Sequence, residues 1–346
     1  MTADRDPSAT SVDAAWLERA TALSVNGPAY GPNPRVGCVL VGADGTMLGE
    51  GWHRGAGTPH AEPAAIADAA ARGHEVAGAT AYVTLEPCSH TGRTGPCTDA
   101  LTRAGVAAVR YAVADPNPEA QGGGAVLLAR GIDARHVPYG PAAQVNRRWL
   151  GAVEHGRPWV IAKWAQTLDG RTAAADGTSF WITGEEARAH AHGVRAQVDA
   201  ILVGTGTVRV DDPELSARPP GDAAAHQPLR AVMGLGATPG AKVWRDSHAV
   251  QLATHDPHAA LTELASREVR TVVVEGGATV TTAFLRAGLV DELHVYVAPA
   301  LLGAGTAAVG DLGIGTMAGA LRAQDVTATA LGVDTLVTAF FQRGQI

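Results

Sequence analysis

Residues 59–62 read Pro-His-Ala-Glu, and residues 86–97 read Glu-Pro-Cys-Ser-His-Thr-Gly-Arg-Thr-Gly-Pro-Cys. His60, Cys88 and Cys97 offer one imidazole and two thiolates, a donor set suited to zinc. Three protein ligands leave the fourth tetrahedral position to water, and an open position implies catalysis. Water on such a metal has its pKa lowered to about 7, so a nucleophile forms at neutral pH. Glu62, two residues past the histidine, is the carboxylate that can shuttle the proton.

The set matches the zinc-deaminase pattern H-x-E followed by P-C-x-x-C, with one departure. Eight residues rather than two separate the cysteines, so a loop must bridge the two thiols. A closed structural site with His53 or His90 as fourth ligand is the alternative, and Glu62 would then be only an acid favoured at a helix start. Cys38 lies mid-strand in Val-Gly-Cys-Val-Leu-Val, where a buried, inert thiol is expected. His190, His192, His255 and His258 are expected to face solvent.

These groups need a scaffold. Residues 13–25 carry apolar positions at helical spacing, and Asn26-Gly27-Pro28 stops that helix. Strands follow at 36–41 and 47–52 around the turn at 42–45, then an alanine-rich helix over 62–72 closed by Gly73. Strand 81–85, helix 97–104, strand 107–113, helix 123–130 and strand 132–137 then alternate, which implies parallel strands joined by crossover helices. The pattern breaks over 138–158, and the domain boundary is placed near 151–157, giving domains 1–150 and 151–346.

The second half alternates again. Strand Pro-Trp-Val-Ile-Ala-Lys-Trp-Ala, helix 184–197 and strands at 199–204, 229–233, 249–254 and 270–275 precede a helix over 277–287 and strands at 292–298 and 334–342. Segments 211–228 and 303–320 read as loop. Strand Arg-Thr-Val-Val-Val-Glu runs into Gly276-Gly277-Ala278-Thr279, a phosphate cradle in form, because free N–H groups and the helix dipole favour anions there. By itself that signal is weak.

With 346 residues, 46% hydrophobic and 18% charged, the chain has material for two cores and is not disordered. A net charge of −7 argues against a nucleic-acid partner, which needs a basic face. Three cysteines are too few for a disulfide framework. No apolar run approaches membrane-spanning length, and the first ten residues have no basic n-region or apolar h-region, so a soluble cytoplasmic protein without a membrane partner is expected. Of 27 basic residues only Lys163 and Lys242 are lysine.

Pro32-Asn33-Pro34-Arg35-Val36-Gly37-Cys38-Val39, His60-Ala61-Glu62, Thr84 through His90, Gly95-Pro96-Cys97 and Asp115-Pro116-Asn117-Pro118 resemble the deaminase half of the bifunctional riboflavin-biosynthesis deaminase/reductase family. In that family the wide cysteine spacing is the usual one. Gln166 through Arg171, Gly177 through Thr183, Pro213 through Arg218 and Gly276 through Thr279 resemble, in order, its reductase half, so the likeness covers nearly the whole chain. It implies a cytidine-deaminase-like three-layer α/β/α domain followed by a dihydrofolate-reductase-like α/β domain, with zinc and NADPH as cofactors. The implied chemistry is hydrolytic deamination of a diaminopyrimidinone carrying a phosphoribosylamino arm, then reduction of the ribosyl chain.

Carried over by resemblance, substrate contacts fall on Ser179, Arg195, Leu215, Arg218 and Glu275, with Lys163 near the reacting ribose. Cofactor contacts fall on Gln166, Trp181, Thr207, Asp211 and on Gly277, Ala278, Thr279, Val280, Thr281, Thr282 and Ala283. Gly234-Leu235 departs from the family's Asp-Ser or Asp-Gly and leaves the cofactor contact there open. Two rivals remain. A nucleic-acid base deaminase shares the zinc motif but lacks support in the charge and the second half. A zinc-stabilised interaction module needs a fourth protein ligand. A homo-oligomer is compatible with every reading.

Overall fold

The computed structural model describes residues 11–91, 95–179, 181–222 and 226–341. Gly92, Arg93, Thr94 and Phe180 of the quoted motifs, and Gln342 of the expected last strand, lie outside the described residues. The chain divides into two compact units, Met1–Glu154 and His155–Ile346. Among the described residues no helix is long and apolar enough to cross a membrane.

The first unit runs α1 (Ser11–Ser24), β1 (Gly37–Val41), β2 (Met47–Trp52), α2 (Ala61–Ala71), β3 (Thr80–Val83), α3 (Cys97–Ala104), β4 (Ala108–Tyr111), α4 (Gly123–Ala129), β5 (Asp133–His136), α5 (Gly140–Val145) and α6 (Arg147–His155), whose last residue opens the second unit. The sheet order is β2-β1-β3-β4-β5, with β1 antiparallel to β2 and β3 and the β3-β4-β5 part parallel. Alternate residues of β1 and β3 go to opposite faces, as the strand period of two requires. Cys38, Leu40, Ala81 and Val83 pack with Ala61, Ala65 and Ala69 of α2, Leu101 of α3 and Leu127 of α4. Val39, Val41 and Tyr82 pack with Leu17, Ala20 and Leu23 of α1 and Ala142 of α5. The result is a three-layer α/β/α sandwich. Glycines bring α2 close to the sheet: a β-carbon on Gly51 would lie 2.5 Å from Ala65 N, and one on Gly49 2.5 Å from Ala65 O.

The second unit runs β6 (Trp159–Thr167), β7 (Arg171–Ala173), α7 (Glu185–Arg195), β8 (Ala200–Gly204), α8 (Thr205–Asp211), β9 (Leu229–Met233), β10 (Ala249–Leu252), α9 (Pro257–Ala265), β11 (Thr271–Val274), α10 (Ala278–Arg286), β12 (Glu292–Ala298), β13 (Thr306–Ala307), β14 (Gln324–Leu331) and β15 (Asp334–Phe340). Eight strands form one sheet, β10-β9-β8-β11-β6-β12-β15-β14. From β10 to β12 all neighbours are parallel, and β12-β15 and β15-β14 are antiparallel. Ala260, Leu261 and Leu264 of α9 and Phe284 and Leu285 of α10 cover one face through Val160, Leu202, Ala231 and Val272. Ala187 of α7 packs on Tyr296 and Leu336 on the other.

Several elements differ from expectation. The broken stretch 138–158 holds α5 and α6, because Pro141 sits in the first turn of α5, where its missing N–H costs nothing. The helix α9 was legible in retrospect, since Asp256 caps it by accepting the His258 N–H and Pro257 opens it. The strand β14 alternates Val326, Ala328 and Ala330 with Thr327 and Thr329, but only with small side chains: it is exposed along nearly its whole length and its backbone pairs with β15 at the sheet edge.

Candidate functional site

In the first unit, His60 is the N-cap of α2 and Cys97 the first residue of α3, and neither helix start carries a side-chain cap. Cys88 lies in the segment after β3, and its Sγ accepts the backbone N–H of Cys97 at 3.5 Å. His60 Nδ1 is 3.2 Å from Cys97 Sγ and 3.6 Å from Cys88 Sγ, and the three donor atoms fall within 4.8 Å of one another. Bonds of about 2.0 to 2.3 Å to a tetrahedral zinc place its donors roughly 3.5 Å apart, so this set fits that ion. Helix N-termini favour the thiolate form the metal requires.

Among the described residues no further His, Cys, Asp or Glu joins the group. His53 is committed elsewhere: its Nδ1 lies 3.0 Å from the Pro59 carbonyl and its Nε2 2.9 Å from Asn33 Nδ2. That network makes Nδ1 the donor and Nε2 the acceptor. The His53 ring stands edge-on to His60 at 5.1 Å between centres and so buttresses the ligand. His90 is outside the group, with a buried Nδ1 that has no hydrogen-bond partner among the described residues.

Glu62 is only 3% exposed. Burial pushes its carboxyl above the ordinary range, the neighbouring Cys88 thiolate adds to this, and His60 opposes it. Cys88 is pushed down to about 4, first by the hydrogen bond from the Cys97 thiol, while burial resists and His60 assists. Cys97 moves the other way as the donor of that bond. Glu86, absent from the sequence-derived set, is buried and accepts N–H groups from Gly124 at 2.9 Å and Asp115 at 3.2 Å. It ties the Cys88 segment to the Asp115-Pro116-Asn117 turn and α4. Burial raises Asp115 to about 6.

In the second unit three of the expected substrate residues meet. Arg195 at the end of α7 donates from Nε and Nη2 to both oxygens of Glu275, at 2.7 and 2.8 Å. Lys163 Nζ on β6 is 3.4 Å from Glu275 Oε2 and 5.4 Å from the centre of the Tyr296 ring. Burial would raise Glu275, but Arg195 and then Lys163 outweigh it and hold the carboxyl well below its ordinary value. Arg195 Nη1 also donates to the Ser216 carbonyl at 3.1 Å, so the strand-end carboxylate is tied to the 212–218 segment. Leu215 in that segment is buried with φ of 52°, a strained backbone of the kind found where geometry is over-determined. Arg218 does not join the cluster. It is exposed and pairs with Glu214 at 2.6 Å. Ser179 is half-buried in the loop before α7.

The expected cofactor residues divide. Thr207 Oγ1 accepts the Gly277 N–H at 3.4 Å, joining the starts of α8 and α10. Gly277 is the N-cap of α10 with no side-chain cap, and a β-carbon there would meet nothing closer than 3.9 Å. This leaves the N–H groups of Ala278 and Thr279 to fit a cofactor phosphate, whereas Val280 and Thr281 donate theirs to the Gly277 carbonyl and the Thr281 and Thr282 side chains are buried. Gln166 Oε1 accepts from Trp164 Nε1 at 2.7 Å, and Asp211 ends α8. Trp181 is 71% exposed, at φ of 63°, under the Arg188 guanidinium at 4.1 Å. It lines an open cleft of about 510 Å³ with Thr183, Arg188, Pro299, Val333 and Asp334.

Two histidines expected to face solvent are half-buried and hydrogen-bonded. His190 Nδ1 lies 2.9 Å from the hydroxyl of the buried Tyr296, and His192 Nδ1 lies 3.1 Å from the Ser216 carbonyl. Burial lowers both, His192 further through Arg195 and Arg218. Helical spacing placed both on α7 but could not say which side the strands would cover.

The cytidine and deoxycytidylate deaminase zinc-binding region matches residues 10–113, and the RibD C-terminal domain matches residues 158–337. The riboflavin biosynthesis protein RibD of Corynebacterium ammoniagenes is 46% identical over 315 residues, covering 87% of this chain and 91% of the relative. That of Escherichia coli is 40% identical, covering 84% and 89%. The solved structure of Acinetobacter baumannii RibD superposes with a TM-score of 0.88 at 36% identity, over 96% of this chain and 99% of that one. A Thermotoga maritima diaminohydroxyphosphoribosylaminopyrimidine deaminase/5-amino-6-(5-phosphoribosylamino)uracil reductase gives 0.83 at 29% identity, over 96% and 99%. A zinc-binding deaminase half and a reductase half, in this order and matched over nearly their full length, place the chain in the RibD family of bifunctional deaminase/reductases of riboflavin biosynthesis.

Proposed function

We propose that residues 1–150 hydrolyse the 2-amino group of 2,5-diamino-6-(5-phosphoribosylamino)pyrimidin-4-one and that residues 151–346 reduce the ribosyl arm to give 5-amino-6-(5-phosphoribitylamino)uracil. The observation that carries the first step is the open His60, Cys88 and Cys97 triad beside the buried Glu62. When bound to these ligands, zinc supplies the Lewis acidity that makes water nucleophilic at neutral pH. Glu62 takes one proton from the attacking water and passes it to the ring nitrogen, then carries the remaining hydroxyl proton to the amino group, which leaves as ammonia as the C–N bond breaks and the carbonyl forms. Burial raises its proton affinity and suits it to that exchange. His53 and Asn33 fix the plane of the neighbouring imidazole.

The second step rests on the Lys163, Glu275 and Arg195 cluster at the C-terminal ends of parallel strands, the edge where open α/β sheets take ligands. When bound, NADPH supplies the hydride. Lys163 holds a proton at Nζ beside the reacting ribose, and Glu275 and the ring of Tyr296 fix its position. Arg218 grips the substrate phosphate, exchanging Glu214 for it, while Arg195, Ser179 and Leu215 shape the rest of the site. Gln166, Trp181, Thr207, Asp211 and residues 277–283 hold the cofactor. The reading is of a cytoplasmic enzyme acting on small molecules. Incubating the purified chain with the diaminopyrimidinone phosphate, with and without NADPH, and resolving products by mass tests it. Deaminated product alone without NADPH, and the ribityl product with it, are expected; absence of either removes the corresponding half of the proposal.

A further inference from the structure

The starts of α10 and α8 follow the adjacent strands β11 and β8, and the next strand outward is β9. Its exit, Gly234-Leu235-Gly236, lies two strand spacings from β11, about 10 Å. Gly234 has φ of +133°, and a β-carbon there would lie 2.9 Å from Thr205 Oγ1, so this exit is folded tightly onto the start of α8. The side chain of Arg209, from the middle of α8, lies against Gly236 and occupies the space a side chain at 236 would need.

The surrounding cations are neutralised. Arg218 and Arg245 both reach Glu214, Lys242 reaches Asp212, and Arg230 pairs with Asp246. Arg209 is exposed, and among the described residues no carboxylate pairs with it. An unpaired guanidinium at the ligand-binding edge of the sheet is suited to a phosphate, which it can meet with paired charge-assisted hydrogen bonds. Its place matters as much as its charge. With the cofactor pyrophosphate at the α10 start, a group at the β9 exit stands one ribose farther along the nucleotide.

We propose that Arg209 is a specificity-determining residue of the reductase half, receiving the 2′-phosphate of NADPH at the β9 exit. The proposal rests on the NADPH reading given above and adds to it the feature that separates NADPH from NADH. The Gly236 contact explains why the arginine is held there without an acidic partner.

The test is equilibrium binding to the full-length protein, free of pyrimidine substrate, followed by quenching of tryptophan fluorescence with NADPH, NADH and 2′,5′-ADP. Arg209→Gln is expected to weaken NADPH and 2′,5′-ADP roughly ten- to a hundredfold, with NADH changed by less than about twofold. Arg209→Lys should recover part of the loss, since it restores the charge without the paired geometry. An unchanged thermal melt serves as the folding control for this exposed position. Equal weakening of NADPH and NADH, or no weakening of either, overturns the proposal. If the unaltered protein bound neither dinucleotide, the cofactor reading itself would fall and this proposal with it, an outcome distinct from failure of the variant alone.

Discussion

A carboxylate beside a metal-binding histidine can be told from a ligand by what its removal does. Glu62 is not among the atoms that converge on the donor triad, so Glu62→Gln should keep stoichiometric zinc. Ammonia release should nonetheless fall by roughly 10²- to 10⁴-fold, the usual range for loss of a proton shuttle. Metal analysis and ammonia release on the same preparation check both, and loss of zinc would contradict the role of Glu62 as a proton shuttle outside the ligand set. The complementary case is Cys97→Ala, which removes one of three donors and should abolish tight zinc binding. Cys38→Ala serves as its control, because Cys38 is fully buried among apolar neighbours and is not one of the converging donors. It should cost about 1 kcal/mol of stability in a denaturant titration and no zinc.

What holds these residues in place is the fit between elements. The helix α2 carries both His60 and Glu62 and lies so close to β2 that a β-carbon on Gly51 would sit 2.5 Å from Ala65 N. Gly51→Ala should therefore lift the helix, cost about 1 to 3 kcal/mol through overpacking and weaken zinc binding, while NADPH oxidation is unchanged. In the second unit, α7, β6 and β11 are tied by one buried carboxylate. Glu275 is held below its ordinary value of 4.5 by Arg195 and Lys163 against the effect of burial. A depressed carboxyl contributes stability that is complete above that ordinary value and is lost as pH falls through the lower folded value. Thermal melts of the unaltered protein and of Glu275→Gln from pH 7 to pH 3 should thus differ most at neutral pH and converge in acid. A gap that stayed constant with pH would mean the ion pair contributes nothing through charge.

Along the chain, the boundary between the two compact units falls between Glu154 and His155, and each unit carries its own sheet and core. Two chemistries on separate cores should separate by mutation. Arg218→Ala removes an exposed cation whose one ion-pair partner among the described residues is Glu214. Loss of a charge-assisted contact to the substrate phosphate should lower reductase kcat/KM roughly ten- to a hundredfold. Deamination should remain within about twofold, because no ligand or proton carrier of that site comes from beyond residue 150. Paired assays with zinc content as the folding control decide this, and equal losses in a well-folded variant would require a coupling between the units.

The amino-acid sequence alone determined the metal-binding set and most strands of both sheets. His60, Glu62, Cys88 and Cys97 announce themselves because a metal restricts residue types and spacing locally, at helix starts that follow short, apolar strands. The apolar runs of β1, β8 and β11 are equally local signals. Only the tertiary structure decided the rest. Lys163, Arg195 and Glu275 lie 112 and 80 positions apart in pairs, and nothing at any one of them reveals that the sheet order β11-β6 and the end of α7 will bring them together. His190 and His192 are half-buried because α7 packs beneath β12 and against the 212–218 segment, a choice made by long-range contacts. The edge strand β14 exists because β15 offers a free backbone ladder, although its own side chains stay in water. Arg209 carries a ligand-binding reading only because β9 ends beside α8. Pairing between distant strands sets these positions, and a residue's type and near neighbours do not encode it.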